Sequence, residues 1–222
     1  MVRRKGFEME LEKLHKEILI MSSMVEQMLR DAIRSLKEKD IALASDVIKR
    51  DDIIDQKEID IQEVCVQVIA TQQPVATDLR LLTSVFKIIT NLERIADHAV
   101  NIAEITIELK DEKYMKALID LPRLSEIALE VVRLSIDAYV HQDIRNMSSI
   151  IEKEGIIDDL YKQIYRELTT YMLEDPKYIQ QASKFTFIAS ALERVGDHGT
   201  NIFESVNYIV TGKYMDLKDC EV

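Results

Sequence analysis

The chain runs to 222 residues, room for one large domain or two small ones, and its formal charge of -11 argues against nucleic acid, whose phosphates need concentrated Lys and Arg. Only 5 Gly and 3 Pro punctuate it, so the composition predicts long helices and not a strand-and-turn protein. No apolar run approaches the roughly 20 residues of a membrane span, and no apolar segment follows the basic N-terminal MVRRK to make a secretory signal, so a reducing cytoplasm is the expected location.

The first predicted helix covers 7–38. Phe7, Leu11, Leu14, Ile18, Met21, Val25, Met28 and Ala32 alternate steps of four and three, the seam of a helix on the order of 45 Å long. A second helix over about 41–72 places Val47, Ile54, Ile61 and Val68 at sevens, and Cys65 reads as a small buried residue. Pro74 sits where a third helix would begin, a position that tolerates its missing N–H, and that helix runs to about 109 with Val85, Ile88, Leu92, Ile95, Ala99 and Ile102 on one side. Residues 110–123 form the joint. Leu124, Ile127, Val131, Leu134 and Ala138 mark a shorter fourth helix; Ile150, Ile157, Ile164 and Tyr171 mark a fifth, again by sevens. Pro176 matches Pro74 in role, and a sixth helix carries Phe185, Ile188, Leu192, Val195, Ile202 and Val206. The expected architecture is all-α: two tandem up-down-up three-helix bundles, residues 1–112 and 113–222.

Isolated features read as structural. His15 and His141 stand alone, the methionines fall largely at core spacing, Tyr161, Tyr165 and Tyr171 suit a bundle wall, and Cys220 is a tail thiol.

One polar stretch occurs twice. LERIADHAVNIAE from residue 92 and LERVGDHGTNIFE from residue 192 agree at 8 of 13 positions. Packing alone would preserve the apolar pattern, yet Glu93, Arg94, Asp97, His98, Asn101 and Glu104 recur as Glu193, Arg194, Asp197, His198, Asn201 and Glu204. At 100° per residue, with Leu92 at 0°, Glu93, Asp97 and Glu104 fall at about 100–140°, on one stripe at the rim of the core; Arg94 and His98 fall further round, toward solvent. In helix two Asp51 and Glu58 occupy seam positions, with Asp55 one turn beyond Asp51. In helix five Glu154 and Asp158 take the matching places, while Tyr161 replaces Glu58. Antiparallel neighbours would bring Asp51/Asp55 to Glu93/Asp97, and Glu154/Asp158 to Glu193/Asp197.

Crowded carboxylates in a half-desolvated groove need protonation or cations. Arg94 and Arg194 supply one compensation and a bound metal the other; the all-oxygen set suits Mg, Ca, Mn or oxidised iron. A purely electrostatic patch is the competing reading. A ferritin-like site is excluded by spacing, because Glu93 and His98 are five apart and share no face, so the histidines read as surface or outer-sphere groups. No nucleophile–base pair, Gly-rich phosphate loop or zinc-protease spacing is present, so neither catalytic residues nor an organic cofactor is expected.

Over nearly its whole length the chain resembles the PhoU family of phosphate-uptake regulators. The resemblance is carried by QQPVATDLRLLTSVFKIITNLERIADHAVNIAE from 72 and ALERVGDHGTNIFE from 191. It implies a cytoplasmic negative regulator of phosphate uptake and of the phosphate-starvation two-component response. The implied partners are the phosphate ABC transporter ATPase subunit and the phosphate-sensing histidine kinase, with contact to the membrane only through them. It also implies metal, as multinuclear iron or other divalent ions, at Asp51, Asp55, Glu93 and Asp97 and at Glu154, Asp158, Glu193 and Asp197, with Asn101, Glu104, Asn201 and Glu204 ranked second. The halves differ at Glu58/Tyr161, Ala96/Gly196 and Ala99/Gly199, so their metal sites need not be equal. An iron oxidase or store and a metal-indifferent helical scaffold are the competing functions. The long helices expose seams that could pair, which leaves oligomeric state, a homodimer included, open.

Overall fold

The computed structural model describes residues 2–217, so Cys220 lies outside the described residues. Six helices follow one another: α1 Val2–Glu38, α2 Ile41–Gln72, α3 Thr77–Glu108, α4 Asp120–His141, α5 Met147–Glu174 and α6 Ile179–Thr211. α1, α2 and α3 pack together, as do α4, α5 and α6, and α3 lies against α6 to join the halves. The expected duplicated all-α architecture is what the chain adopts.

The apolar seams become the core. Ile18, Met21 and Val25 of α1, Val47, Ile54 and Ile61 of α2, and Ile88, Leu92 and Ile95 of α3 are at most 2% exposed. Ion pairs set the direction of packing: Arg50 reaches Asp31 at 2.9 Å and Lys57 reaches Glu17 at 2.7 Å, so numbers rise along α2 as they fall along α1. α3 and α6 are antiparallel by the same logic, with Lys184 on Glu108 at 3.2 Å and Asn91 against His198 at 2.8 Å. Arg30 to Glu126 at 2.7 Å adds a tie between α1 and α4. His15 is half-buried against the ring of Tyr139, centroids 5.1 Å apart, a structural place.

Two helix starts differ from expectation. α1 begins at Val2, not at residue 7, because the polar first turns continue the helix N-terminal to its apolar seam. α3 begins at Thr77 and not at Pro74: Gln73 and Ala76 take left-handed φ values of 50° and 48°, so the backbone turns around the proline before the helix resumes. Pro176 does open a helical turn, the short 3₁₀ segment Pro176–Tyr178 before α6, with the Asp175 side chain accepting from the Lys177 N–H at 3.1 Å. The two prolines therefore play different parts. Among the tyrosines, Tyr161 packs on the core while Tyr165 is 51% exposed.

The segments that follow α3 and α6 cross-tie the halves. Lys113, Tyr114 and Met115 recur as Lys213, Tyr214 and Met215, at the same offset of 100 as the polar motif. The first copy lies on α6: Met115 N–H donates to Gln181 Oε1 at 2.6 Å, and Tyr114 meets Phe185 edge-on with centroids 5.5 Å apart. The second lies on the α3–α6 seam, where Lys87 of α3 sits 5.1 Å over the Tyr214 ring. α6 is capped by Gly212, whose φ of 71° is one that L side chains rarely adopt; a Cβ built there would also lie 3.2 Å from Arg80 Nη1.

Candidate functional site

α2 and α3 run antiparallel, which brings the acids of the first repeat face to face. Thr90 donates to Glu58 Oε1 at 2.6 Å, fixing the register, and Gln62 donates to the same oxygen at 3.0 Å. One turn along, Asp97 acts electrostatically on both Asp51 and Asp55, and Asp55 and Glu58 act on Glu93. The four expected acids Asp51, Asp55, Glu93 and Asp97 are thus neighbours, with Glu58 as a fifth.

Their protonation reflects that crowding. Burial, then Asp55, Asp97 and Asp52, pushes Asp51 up to about 6. Burial and Asp97 push Glu93 up to about 7 against the opposing pull of Arg94, and burial with Asp97, Asp52 and Glu58 raises Asp55. Arg94 is the local counter-ion, 3.4 Å from Glu93 and 3.0 Å from Asp97, but it is exposed and its attraction is screened. Asp51 Oδ1 is buried without a hydrogen-bond partner.

In the second repeat Ile157 of α5 lies against Gly196 of α6; their sequence counterparts in the first repeat, Ile54 and Ala96, are both fully buried. Glu154, Glu193 and Asp197 are half-buried and Asp158 is exposed, 3.4 Å from Lys162. A cleft of about 520 Å³ gathers Glu193, Asp197, His198, Asn201 and Glu204 of α6 with Asp216 of the tail. Asn101 and Glu104 line a different space, the groove shared with Phe187 and Arg194. The repeated stripe therefore splits in the first repeat and stays together in the second.

His98 and His198 are half-buried: His98 lines the groove of Asn101 and Glu104, and His198 lines the cleft of Glu193 and Asp197. Their rings face each other across the α3–α6 seam, centroids 5.5 Å apart. The wheel of one helix registers only its own bundle, and the face it assigns to solvent is covered by the other repeat. Burial, His198, Arg194 and Arg94 lower His98 to about 4 despite Asp97, and burial with Arg94 and Arg194 lowers His198, so both rings are neutral at pH 7. His198 Nδ1 donates to Asn91 Oδ1 at 2.8 Å. Asn91 escapes a motif search because its counterpart is Ala191; Asp216 was within reach of one, through the recurring Lys-Tyr-Met that precedes it.

Donor chemistry and the orphaned Asp51 oxygen suit a hard cation at the first repeat. Among the described residues, no three acids, histidines or cysteines converge closely enough to chelate an ion as they stand, so an ion placed there would need side chains to swing inward. Among the described residues, no helix is long and apolar enough to cross a membrane.

Fold and site together define a class: a duplicated three-helix-bundle protein with one acid-bearing motif on the third helix of each repeat and, in the first repeat, a carboxylate face shared by α2 and α3. The PhoU domain model matches residues 18–106 and 121–206, one copy per bundle. A phosphate-specific transport system accessory protein PhoU homolog of Clostridium acetobutylicum is 39% identical over 217 residues, covering 97% of this chain and 99% of its own. The accessory protein PhoU of Escherichia coli is 36% identical over 207 residues, covering 93% and 86%. The crystal structure of PhoU from Pseudomonas aeruginosa superposes with a TM-score of 0.89 at 36% identity, covering 93% of this chain and 100% of that one. The chain belongs to the PhoU family.

Proposed function

We propose that this chain is an accessory protein of phosphate-specific transport that restrains phosphate uptake and the phosphate-starvation response. In this reading it is a non-enzymatic adaptor in the cytoplasm, held between the transporter's ATPase subunit and the phosphate-sensing histidine kinase. What supports the reading is the carboxylate face gathered across α2–α3, with its acid motif repeated on α6, within a chain whose relatives bear that accessory name.

Asp51, Asp55, Glu93 and Asp97 would hold metal in the first repeat and Glu154, Asp158, Glu193 and Asp197 in the second, with iron or another hard cation neutralising the crowded charge. Bound metal would supply positive charge on an otherwise acidic face, and with it a means of meeting anionic groups on a partner. The chain's own residues set the spacing of the acids, and Arg94 balances them in part.

Elemental analysis of protein purified without added metal tests the cation. Combined replacement of Glu93, Asp97, Glu193 and Asp197 by Ala tests the role: in phosphate-rich medium the folded variant should no longer repress. A quadruple variant with native helical content and normal repression would overturn the reading. Ferrous iron with oxygen separates it from an oxidase, because an adaptor responds at most stoichiometrically and does not turn over.

A further inference from the structure

A groove of about 420 Å³ opens along the α3–α6 seam. Ser84 and Lys87 of α3 and Ser205 and Tyr208 of α6 line it, and Tyr214 and Met215 of the segment after α6 wall one side. That wall is held in place. Leu217 is 1% exposed and its N–H donates to Glu204 Oε1 at 2.9 Å, while Asn207 Nδ2 donates to the Lys213 carbonyl at 3.1 Å. A concavity built where two repeats and a tail meet is a common place for a small molecule, and this one has the size for it.

Duplication does not account for the lining. At the repeat offset of 100, Ser84, Lys87 and Tyr208 become Lys184, Phe187 and Glu108, so this set of hydroxyl, ammonium and ring belongs to one side of the seam alone. Among the described residues Lys87 is the one cation of the groove and has no carboxylate partner; its ammonium lies 5.1 Å over the Tyr214 ring. Glu204 is the one acid, and the tail engages its Oε1. Ser84 is 2% exposed, and among the described residues its hydroxyl makes no hydrogen bond, whereas Ser205 donates to the Asn201 carbonyl at 2.9 Å. The hydroxyl of Ser84 is thus left for an occupant. What remains is ring and thioether: Phe86, Met215, and Tyr208 stacked on Tyr214 with centroids 4.1 Å apart.

We propose that this groove binds a small aromatic carboxylate. Its ring lies against Tyr208, Tyr214 and Met215, its carboxylate pairs with Lys87 at the exposed mouth, and a hydroxyl on the ring meets Ser84 at the floor. A doubly charged phosphate ester is the poorer fit. A single ammonium would face it, no arginine among the described residues lines the groove to grip it in two places, and a chain of charge -11 repels the second negative charge. A cationic occupant would meet Lys87 and find the one carboxylate already bonded to the Leu217 N–H.

The test uses the full chain and equilibrium dialysis of three probes: para-hydroxycinnamate, its neutral amide, and the cation tyramine. The acid should bind roughly threefold to fivefold more tightly than the amide, the scale of an exposed ion pair, and tyramine should bind least. Lys87→Met keeps the length of the side chain and should erase the preference for the acid. Ser84→Ala should weaken acid and amide alike, and Tyr208→Ala should weaken both by roughly tenfold, as loss of a ring from the wall would. Phe187→Ser, at the sister position of Lys87, should leave binding unchanged. Far-ultraviolet circular dichroism and a thermal melt establish that each variant is folded. Equal affinity for acid and amide overturns the proposal, as does a preference for the acid that survives in folded Lys87→Met. Tighter binding of tyramine overturns it too, and so does failure of the acid to bind at millimolar concentration.

Discussion

Across α2 and α3 five carboxylates share one face, Asp51, Asp55, Glu58, Glu93 and Asp97, whereas across α5 and α6 Tyr161 stands where Glu58 would be. The packing beneath differs in the opposite sense. In the second repeat Gly196 and Gly199 let α6 approach its neighbours: a Cβ at 196 would be 2.7 Å from Ile157 Cδ1, and one at 199 would be 2.9 Å from Val131 Cγ1 and 3.1 Å from the Val132 backbone N. The first repeat carries Ala96 and Ala99 at those places. One copy thus carries more charge on its face, and the other carries glycines where its helices meet closely. The two faces need not bind cations alike.

The steepest way to break this comparison is at the glycines. Gly199→Val should cost about 3 kcal/mol, because the added atoms meet a β-branched side chain and a backbone nitrogen that cannot withdraw, and Tm should fall by roughly 6–12 °C. The opposite exchange, Ala99→Gly, removes helix propensity and should cost about 1 kcal/mol. Equal losses in thermal melts would show that the second repeat is no tighter than the first.

Next in size is the pH response of the first face. Glu93 is ordinarily deprotonated above 4.5 but in the folded chain holds its proton to about 7. Over that interval the folded state binds a proton that the unfolded state has released, so stability falls as pH rises and the loss is complete above about 7. Metal-free protein should lose about 1–2 kcal/mol in this way, a range that allows for solvent screening at the mouth of the groove. Glu93→Gln should flatten the slope to the part that Asp51 and Asp55 still contribute, and a divalent cation at pH 7.5 should restore the stability. His98 acts with the opposite sign: its lowered pKa takes stability away as pH falls from 6.5 toward about 4, and subtracting the two urea-midpoint profiles isolates Glu93.

Tyr161→Glu sharpens the comparison by returning the fifth acid to the second face. It should lower metal-free stability at pH 7.5 by about 1 kcal/mol and tighten divalent binding there, read by calorimetric titration. Smallest is Asn91→Ala, which strips His198 of its acceptor and should cost about 0.5–1 kcal/mol in chemical unfolding.

Much of this was legible in the sequence. Val47, Ile54 and Ile61 at sevens sit in the core, and the doubled Glu-Arg-x-x-Asp-His stretch falls on the third helix of each repeat, with the α2 acids opposite it in the first. What escaped was produced by the meeting of the halves. A helical wheel assigns His98 to solvent because it cannot know that α6 covers it, and it groups Glu104 with Asp97 although the seam turns Glu104 into another groove. Pro74 reads as a helix start only until the left-handed Gln73 and Ala76 beside it are seen.

The crossed straps after α3 and α6 have a topological effect. Each repeat's trailing segment is fastened to the opposite repeat, so a cut in the peptide between Lys116 and Asp120 would not free the halves: the Gln181 amide still grips the upstream piece, and Lys87 with Tyr214 still holds the downstream one. A nicked molecule should migrate as one body until denatured.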